Sequence, residues 1–148
     1  MEALRFYGSP AFVTPLRAEY QGGDDWLILE ALVYDSALIG RVVVPRGLVT
    51  DLASVPRWLP IAYATAGGRA HPAAVVHDYL YGTHPCARAA ADAVFLEAMT
   101  VTGEPAWRRL AMYRAVRWFG GWSYASGPAR RRLLNAEPLP PPLPGDLT

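Results

Sequence analysis

Asp51, His77, Asp78 and Asp92 are the residues of this chain whose types could do chemistry together. They lie in the segments Val49-Thr50-Asp51-Leu52-Ala53-Ser54-Val55-Pro56-Arg57 and His77-Asp78-Tyr79-Leu80-Tyr81 and at Asp92, among largely apolar neighbours. Burying titratable groups is costly unless they are paired, hydrogen-bonded or bound to something, so their concentration points to a site. Asp51 as general base with His77 as acid is one chemistry the set allows, if both reach one pocket. A shell of one imidazole and three carboxylates for a divalent metal is another. His71 and His77 differ by about 240° around an ideal helix, too far for the paired i,i+4 ligation of metalloprotease helices.

Each residue also has a purely structural role open to it. Thr50, Asp51 and Ser54 are natural caps for backbone amides where a strand gives way to a turn. Asp92 shares a helix face with Phe95, Leu96 and Met99, which turns it inward, where Arg88 one turn back offers an i,i+4 ion pair. His77 and Asp78 are adjacent and so point about 100° apart, which leaves His77 free to hold the junction of sheet and helix by hydrogen bonds. Cys86, the one cysteine, lacks a base and an orienting group and reads as a small residue at a helix start.

A second constellation suits contact rather than catalysis. Trp107, Arg108, Arg114, Arg117, Trp118 and Trp122 mix the residue types enriched in protein interfaces. Packing of the rings into the core with the arginines in water is the competing reading. Farther on, Glu137 to Gly145 contains Pro140-Pro141-Pro142 within a proline-leucine run that favours an extended polyproline chain suited to lying on a partner.

The elements that must position these groups change character midway. Residues 26–34 and 38–45 are rich in strand formers and flank Asp35-Ser36-Ala37, so the pattern predicts a hairpin, with a shorter strand over 12–20. After Gly67-Gly68 the periodicity becomes helical. Helices are expected over 72–81, 88–100 and 105–119, the last stopped by Gly120-Gly121, with a weaker fourth candidate over 128–135. Strands followed by helices predict an α+β domain: a small N-terminal antiparallel sheet, three or four packed helices over residues 1–136, and an extended proline-rich tail over 137–148.

The 148 residues suffice for one core. Fourteen cations, all Arg, against thirteen acids leave the chain nearly neutral and argue against a dedicated nucleic-acid binder. Seven of those arginines fall between Trp107 and Leu133, with no acid among them, so the helical part carries a basic patch. A single cysteine excludes an internal disulfide and a thiolate zinc cluster. Neither a leader-like start nor a membrane-length apolar run occurs, and the expectation is a soluble, unexported protein without a resident cofactor.

Val44 to Arg57, Ala73 to Tyr81 and Ala91 to Met99, with Tyr113-Arg114-Ala115-Val116-Arg117, closely resemble the family called domain of unknown function 1353. Its motif positions map onto Thr50, Asp51, Ser54, Pro56, His77, Asp78, Tyr81 and Asp92. The resemblance implies an association with tailed bacteriophages and prophages but brings no settled activity. Within that setting two functions are expected. The first is a virion structural component of the tail or the head–tail region, assembled in the host cytoplasm and gripping other phage structural proteins in a symmetric array. The alternative is a small phage-encoded hydrolase, metal-dependent or not, built on Asp51, His77, Asp78 and Asp92.

Overall fold

Alternation of buried and less buried side chains marks the hairpin in the first half of the molecule. The computed structural model describes residues 7–23, 25–50 and 69–126. In it β4 (Leu32–Ser36) and β5 (Gly40–Val44) pair antiparallel with Leu32 opposite Val44, Tyr34 opposite Val42 and Ser36 opposite Gly40. These six residues are buried and the residues between them along each strand are not, the period-two pattern of a sheet with one face on the core. The Ser36 hydroxyl accepts from the amides of Leu38 and Ile39 and closes the turn, and Gly40 supplies the positive φ needed to re-enter the strand.

The strand content is right for an α+β chain, but the single expected sheet is two. β1 (Ala11–Phe12) joins the outer edge of β4, giving the order β1-β4-β5. β2 (Ala18–Gly22), β3 (Asp25–Ile28) and β6 (Val49–Thr50) form a second antiparallel sheet in the order β2-β3-β6. The apolar run 26–34 is therefore not one strand of a hairpin. It is cut between Ile28 and Leu32, and its halves serve different sheets. Thr14 holds the cut open: its hydroxyl accepts from the Val33 amide at 2.8 Å and donates to the Ala31 carbonyl at 3.0 Å. Backbone groups that one long strand would have paired are satisfied there by a side chain from outside.

Three helices follow among the described residues: α1 (His71–Thr83), α2 (Arg88–Val101) and α3 (Ala106–Ser126). Pro72 sits in the first turn of α1, as its missing N–H allows. The helix ends at His84, whose left-handed backbone returns its N–H to the Leu80 carbonyl. Its ring stacks on Tyr124 at 4.0 Å. α3 does not stop at Gly120-Gly121 but runs on to Ser126. Glycine lowers helix propensity by only about 1 kcal/mol, which packing can outweigh, and Gly120 is buried against α1. The fourth candidate helix over 128–135 and the tail over 137–148 lie outside the described residues, as does Asp51.

The core lies where the β4–β5 face meets α1 and α2. Ile28, Leu32, Tyr34 and Val44 pack with Val75, Val76, Leu80, Phe95 and Met99, and α3 closes the far side with Met112 and Val116. One polar strut crosses it. The Tyr34 hydroxyl donates to Glu97 Oε1 at 2.8 Å, and Glu97 Oε2 accepts from the Ala37 amide at 3.1 Å, tying α2 to both strand and turn. Burial, reinforced by Glu97, pushes the Tyr34 ionisation far above its ordinary range. Removing that acceptor strands a buried hydroxyl, so Glu97→Ala is expected to lower stability by about 1–3 kcal/mol in urea unfolding, with Tyr34→Phe recovering part of the loss. Unchanged stability in Glu97→Ala would refute the strut.

Candidate functional site

The centre of the helical layer is a carboxylate. Asp92, on α2, is fully buried and is reached from both neighbouring helices. From α1, His77 Nε2 approaches Oδ1 at 2.8 Å and the Tyr81 hydroxyl donates to the same oxygen at 2.5 Å. His77 and Tyr81 share one face because they are four residues apart. From α3, Arg117 Nη1 donates to Oδ2 at 2.8 Å. The imidazole is tilted in the core between Tyr81, at 4.0 Å between ring centroids, and Phe95, at 4.7 Å.

The protonation of the cluster follows from these contacts. Burial by itself would raise the Asp92 carboxyl, but the hydrogen bonds from His77, Tyr81 and Arg117 outweigh it and hold the group below its ordinary value. An ionised carboxylate only accepts, so His77 Nε2 carries a hydrogen. Burial lowers the His77 basicity more than Asp92 restores it, and the ring is neutral. Its other nitrogen, Nδ1, is then a bare lone pair, buried and without a hydrogen-bond partner among the described residues. Burial, then Asp92, pushes the Tyr81 hydroxyl well above its usual range. The hydrogen bond to Asp92 raises Arg117 further. The cluster therefore holds one negative charge on Asp92 and one positive charge on Arg117 around two neutral donors.

The four sequence candidates divide. His77 and Asp92 meet. Asp78 faces another way and accepts from the Thr50 hydroxyl at 2.5 Å, tying α1 to β6. Asp51, the residue after β6, lies outside the described residues. Among the described residues no group of three or more His, Cys, Asp or Glu could hold a metal ion. The Arg88–Asp92 pair expected from i,i+4 spacing does not form. Arg88 instead donates to the Val116 and Arg117 carbonyls of α3 at 3.3 and 3.1 Å, while Arg117, distant in sequence, is the cation that reaches Asp92. Asp92 turns towards the junction of α1 and α3, where three donors already fill it. Burial and the charge of Asp92 raise the Cys86 thiol, which makes it a poor nucleophile.

The family resemblance marked Tyr81 as a motif position, but its role as a donor to Asp92 was not read from the sequence, and Gly120 was taken for a helix stop. The i,i+4 spacing of His77 and Tyr81 was the available signal for the first. The second is a matter of space: a Cβ on Gly120 would lie 2.6 Å from the Tyr81 hydroxyl. Only glycine lets α3 approach the hydroxyl that feeds Asp92. Of the interface candidates, Trp107 and Trp118 are 65% and 76% exposed and Arg114 is exposed. Arg108 pairs with buried Glu104 at 3.3 Å and lies over the Trp107 ring, and Arg117 is turned inward. The Trp122 side chain and Pro140, Pro141 and Pro142 are outside the described set.

Gly120→Ala should lower stability by about 1–3 kcal/mol despite alanine's better helix propensity, because the added methyl overpacks the contact. Tyr81→Phe, which removes the clashing oxygen, should relieve part of that loss; strictly additive single and double substitutions would show that the two residues do not compete for space. His77 gives a pH dependence. The unfolded imidazole takes up a proton below about 6.5 while the native ring stays neutral to lower pH, so stability should fall as pH drops from 7.5 to 5.5. Asp92 adds a second loss only below its ordinary value near 3.8. His77→Gln keeps a donor towards Asp92 and does not titrate. Thermal melts of this variant should lose the slope, and a slope equal to that of the parent would rule out a neutral His77.

The comparisons with known proteins give one match. No curated protein and no solved structure matches the chain. The model of the family described as "Protein of unknown function (DUF1353)" matches residues 26–116, which takes in β3 to β6, α1, α2 and the first half of α3, with His77, Asp78, Tyr81 and Asp92. A match over that share of the chain places it plainly: this protein belongs to the DUF1353 family.

Proposed function

We propose that this chain is a structural component of a bacteriophage virion, of the tail or the head–tail region, that works through protein–protein contacts rather than catalysis. One observation carries the reading. Every acid between residues 69 and 126 is committed to another part of the fold. Asp78 accepts from Thr50, Asp92 from His77, Tyr81 and Arg117, Glu97 from Tyr34 and Ala37, and Glu104 from the Arg69 amide and Arg108. A catalytic carboxylate needs a lone pair or a proton to offer substrate, and Asp92 is held ionised with both oxygens occupied. The exposed rings of Trp107 and Trp118 beside Arg114 supply contact surface of the kind interfaces use. The partners are then other virion proteins met in the host cytoplasm during assembly, in a symmetric array.

A hydrolase is the second reading, favoured by the bare Nδ1 of His77. An imidazole oriented by a carboxylate through one nitrogen, with the other nitrogen free, is the arrangement of a general base. Asp51, Asp78 and a divalent metal would complete such a site.

Mass spectrometry of purified particles, with metal titration of the recombinant protein, separates the two. Stoichiometric presence in particles and no binding of zinc or manganese is the expected result. Absence from particles together with metal binding that His77→Gln abolishes would overturn the structural reading.

A further inference from the structure

The outer edge of β2 carries backbone groups that meet no other strand of the described residues. β2 pairs with β3 on one side only, in the order β2-β3-β6. On β3, Ile28 turns both its backbone groups towards β6: its N–H donates to the Leu48 carbonyl at 2.9 Å and its carbonyl accepts from the Gly47 amide at 2.8 Å. Ala18, opposite Ile28, therefore stands in a non-hydrogen-bonded pair, with its own N–H and carbonyl pointing away from β3. Arg17 fixes the same phase, since its carbonyl accepts from the Leu29 amide at 2.9 Å. Two residues after Ala18, Tyr20 repeats the outward orientation. The edge thus offers the N–H and carbonyl of Ala18 and of Tyr20, unpaired among the described residues, on a strand exposed from Glu19 to Gly22.

An open edge is a template for another extended strand, and its side chains decide which strand fits. The charges on this one suit a second copy of itself. In an antiparallel pair of two β2 edges, centring on Glu19 or on Arg17 sets like charges face to face, which is destabilising. Centring on Tyr20 runs the ladder into the irregularity between Tyr20 and Gly22. Centring on Ala18 places Arg17 of each copy opposite Glu19 of the other, twice by the two-fold symmetry, in the close non-hydrogen-bonded positions where side chains touch. Both side chains are exposed and available. Arg17 at present reaches only Glu30, at 3.4 Å, and both members of that pair are 61% exposed, so the contact holds it weakly. The same register brings the exposed Tyr20 ring opposite Leu16 of the other copy.

We propose that β2 is a self-association edge, through which two copies pair antiparallel about a two-fold axis at Ala18 and join their β2-β3-β6 sheets into one. The ladder is short, so the pair is weak alone and becomes firm where other contacts already hold copies side by side. The pairing stands under either functional reading.

Sedimentation equilibrium of the full-length chain from micromolar to millimolar protein tests it. The mass of the parent should climb from one protomer towards two. Arg17→Glu and Glu19→Arg each turn both cross-strand pairs repulsive, and each should weaken association about tenfold. An equimolar mixture of the two variants restores opposite charges across the axis and should recover the parental association, as should the double substitution. Both positions lie on the surface, and an unchanged circular dichroism spectrum verifies the fold. A parent that stays monomeric at millimolar concentration, or single variants that associate as the parent does, would overturn the proposal. A mixture that associates no better than its components would overturn the register centred on Ala18.

Discussion

A single buried charge sets the geometry of the helical layer. Removing a carboxylate from water costs several kcal/mol even after relaxation, and only well-placed partners offset it. Asp92 obtains them from two helices at once, an imidazole N–H and a phenol from α1 and a guanidinium from α3. Neither helix can slide by a turn without stranding the charge, whereas the apolar contacts around it would tolerate several registers. The close approach of α3 follows from this constraint, and so does glycine at position 120, where any Cβ would meet the Tyr81 oxygen. An interaction that adds little net stability thus does much to select one packing.

The same device recurs at smaller scale. Glu97 fastens α2 to the β4–β5 turn, Asp78 fastens α1 to β6, and Glu104, buried at the start of α3, takes the Arg69 amide just before α1. Each acid sits on or beside a helix and accepts from a group outside that helix. The sheets contribute hydroxyls and amides, the helices contribute carboxylates, and the two halves of the molecule are joined through polar bonds as well as through the shared core. With the acids drawn inward, the outer face of α3 is left aromatic and cationic, with Arg114 between the two exposed indoles.

Local signals carried much of this fold. Strand-forming residues located β5 within the expected 38–45 and placed β4 too early, since it runs through Asp35 and Ser36 of the expected turn, and Pro72 and the helical periodicity located α1 and α2 to within two residues. What sequence could not show was division and pairing at a distance. The run 26–34 has strand-forming residues throughout, and the reason it breaks is the Thr14 hydroxyl, nearly twenty residues away. Inward-facing Asp92 was legible from Phe95 and Met99 on the same side. Its cation was not, because Arg88 and Arg117 are chemically equivalent and only the tertiary fold decides which guanidinium arrives. Gly120-Gly121 read as a stop because a glycine needed for close approach and a glycine that ends a helix are the same residue.

His77 shows how the requirements of Asp92 extend to its partners. A hydroxyl or an amide could also donate to the carboxylate, yet the imidazole combines a donor with a flat, largely apolar body that fills the space between Tyr81 and Phe95. That choice leaves Nδ1 bare in the core, and an unsatisfied buried acceptor costs about 1–3 kcal/mol. The alternative protonation state is worse. A hydrogen on Nδ1 would either strip the donor from Nε2 or place a second positive charge near Arg117 on a fully buried ring. The neutral ring with its lone pair unmatched is therefore the least costly way to feed Asp92 from α1. It leaves the His77 Nδ1 lone pair without a hydrogen-bond partner among the described residues.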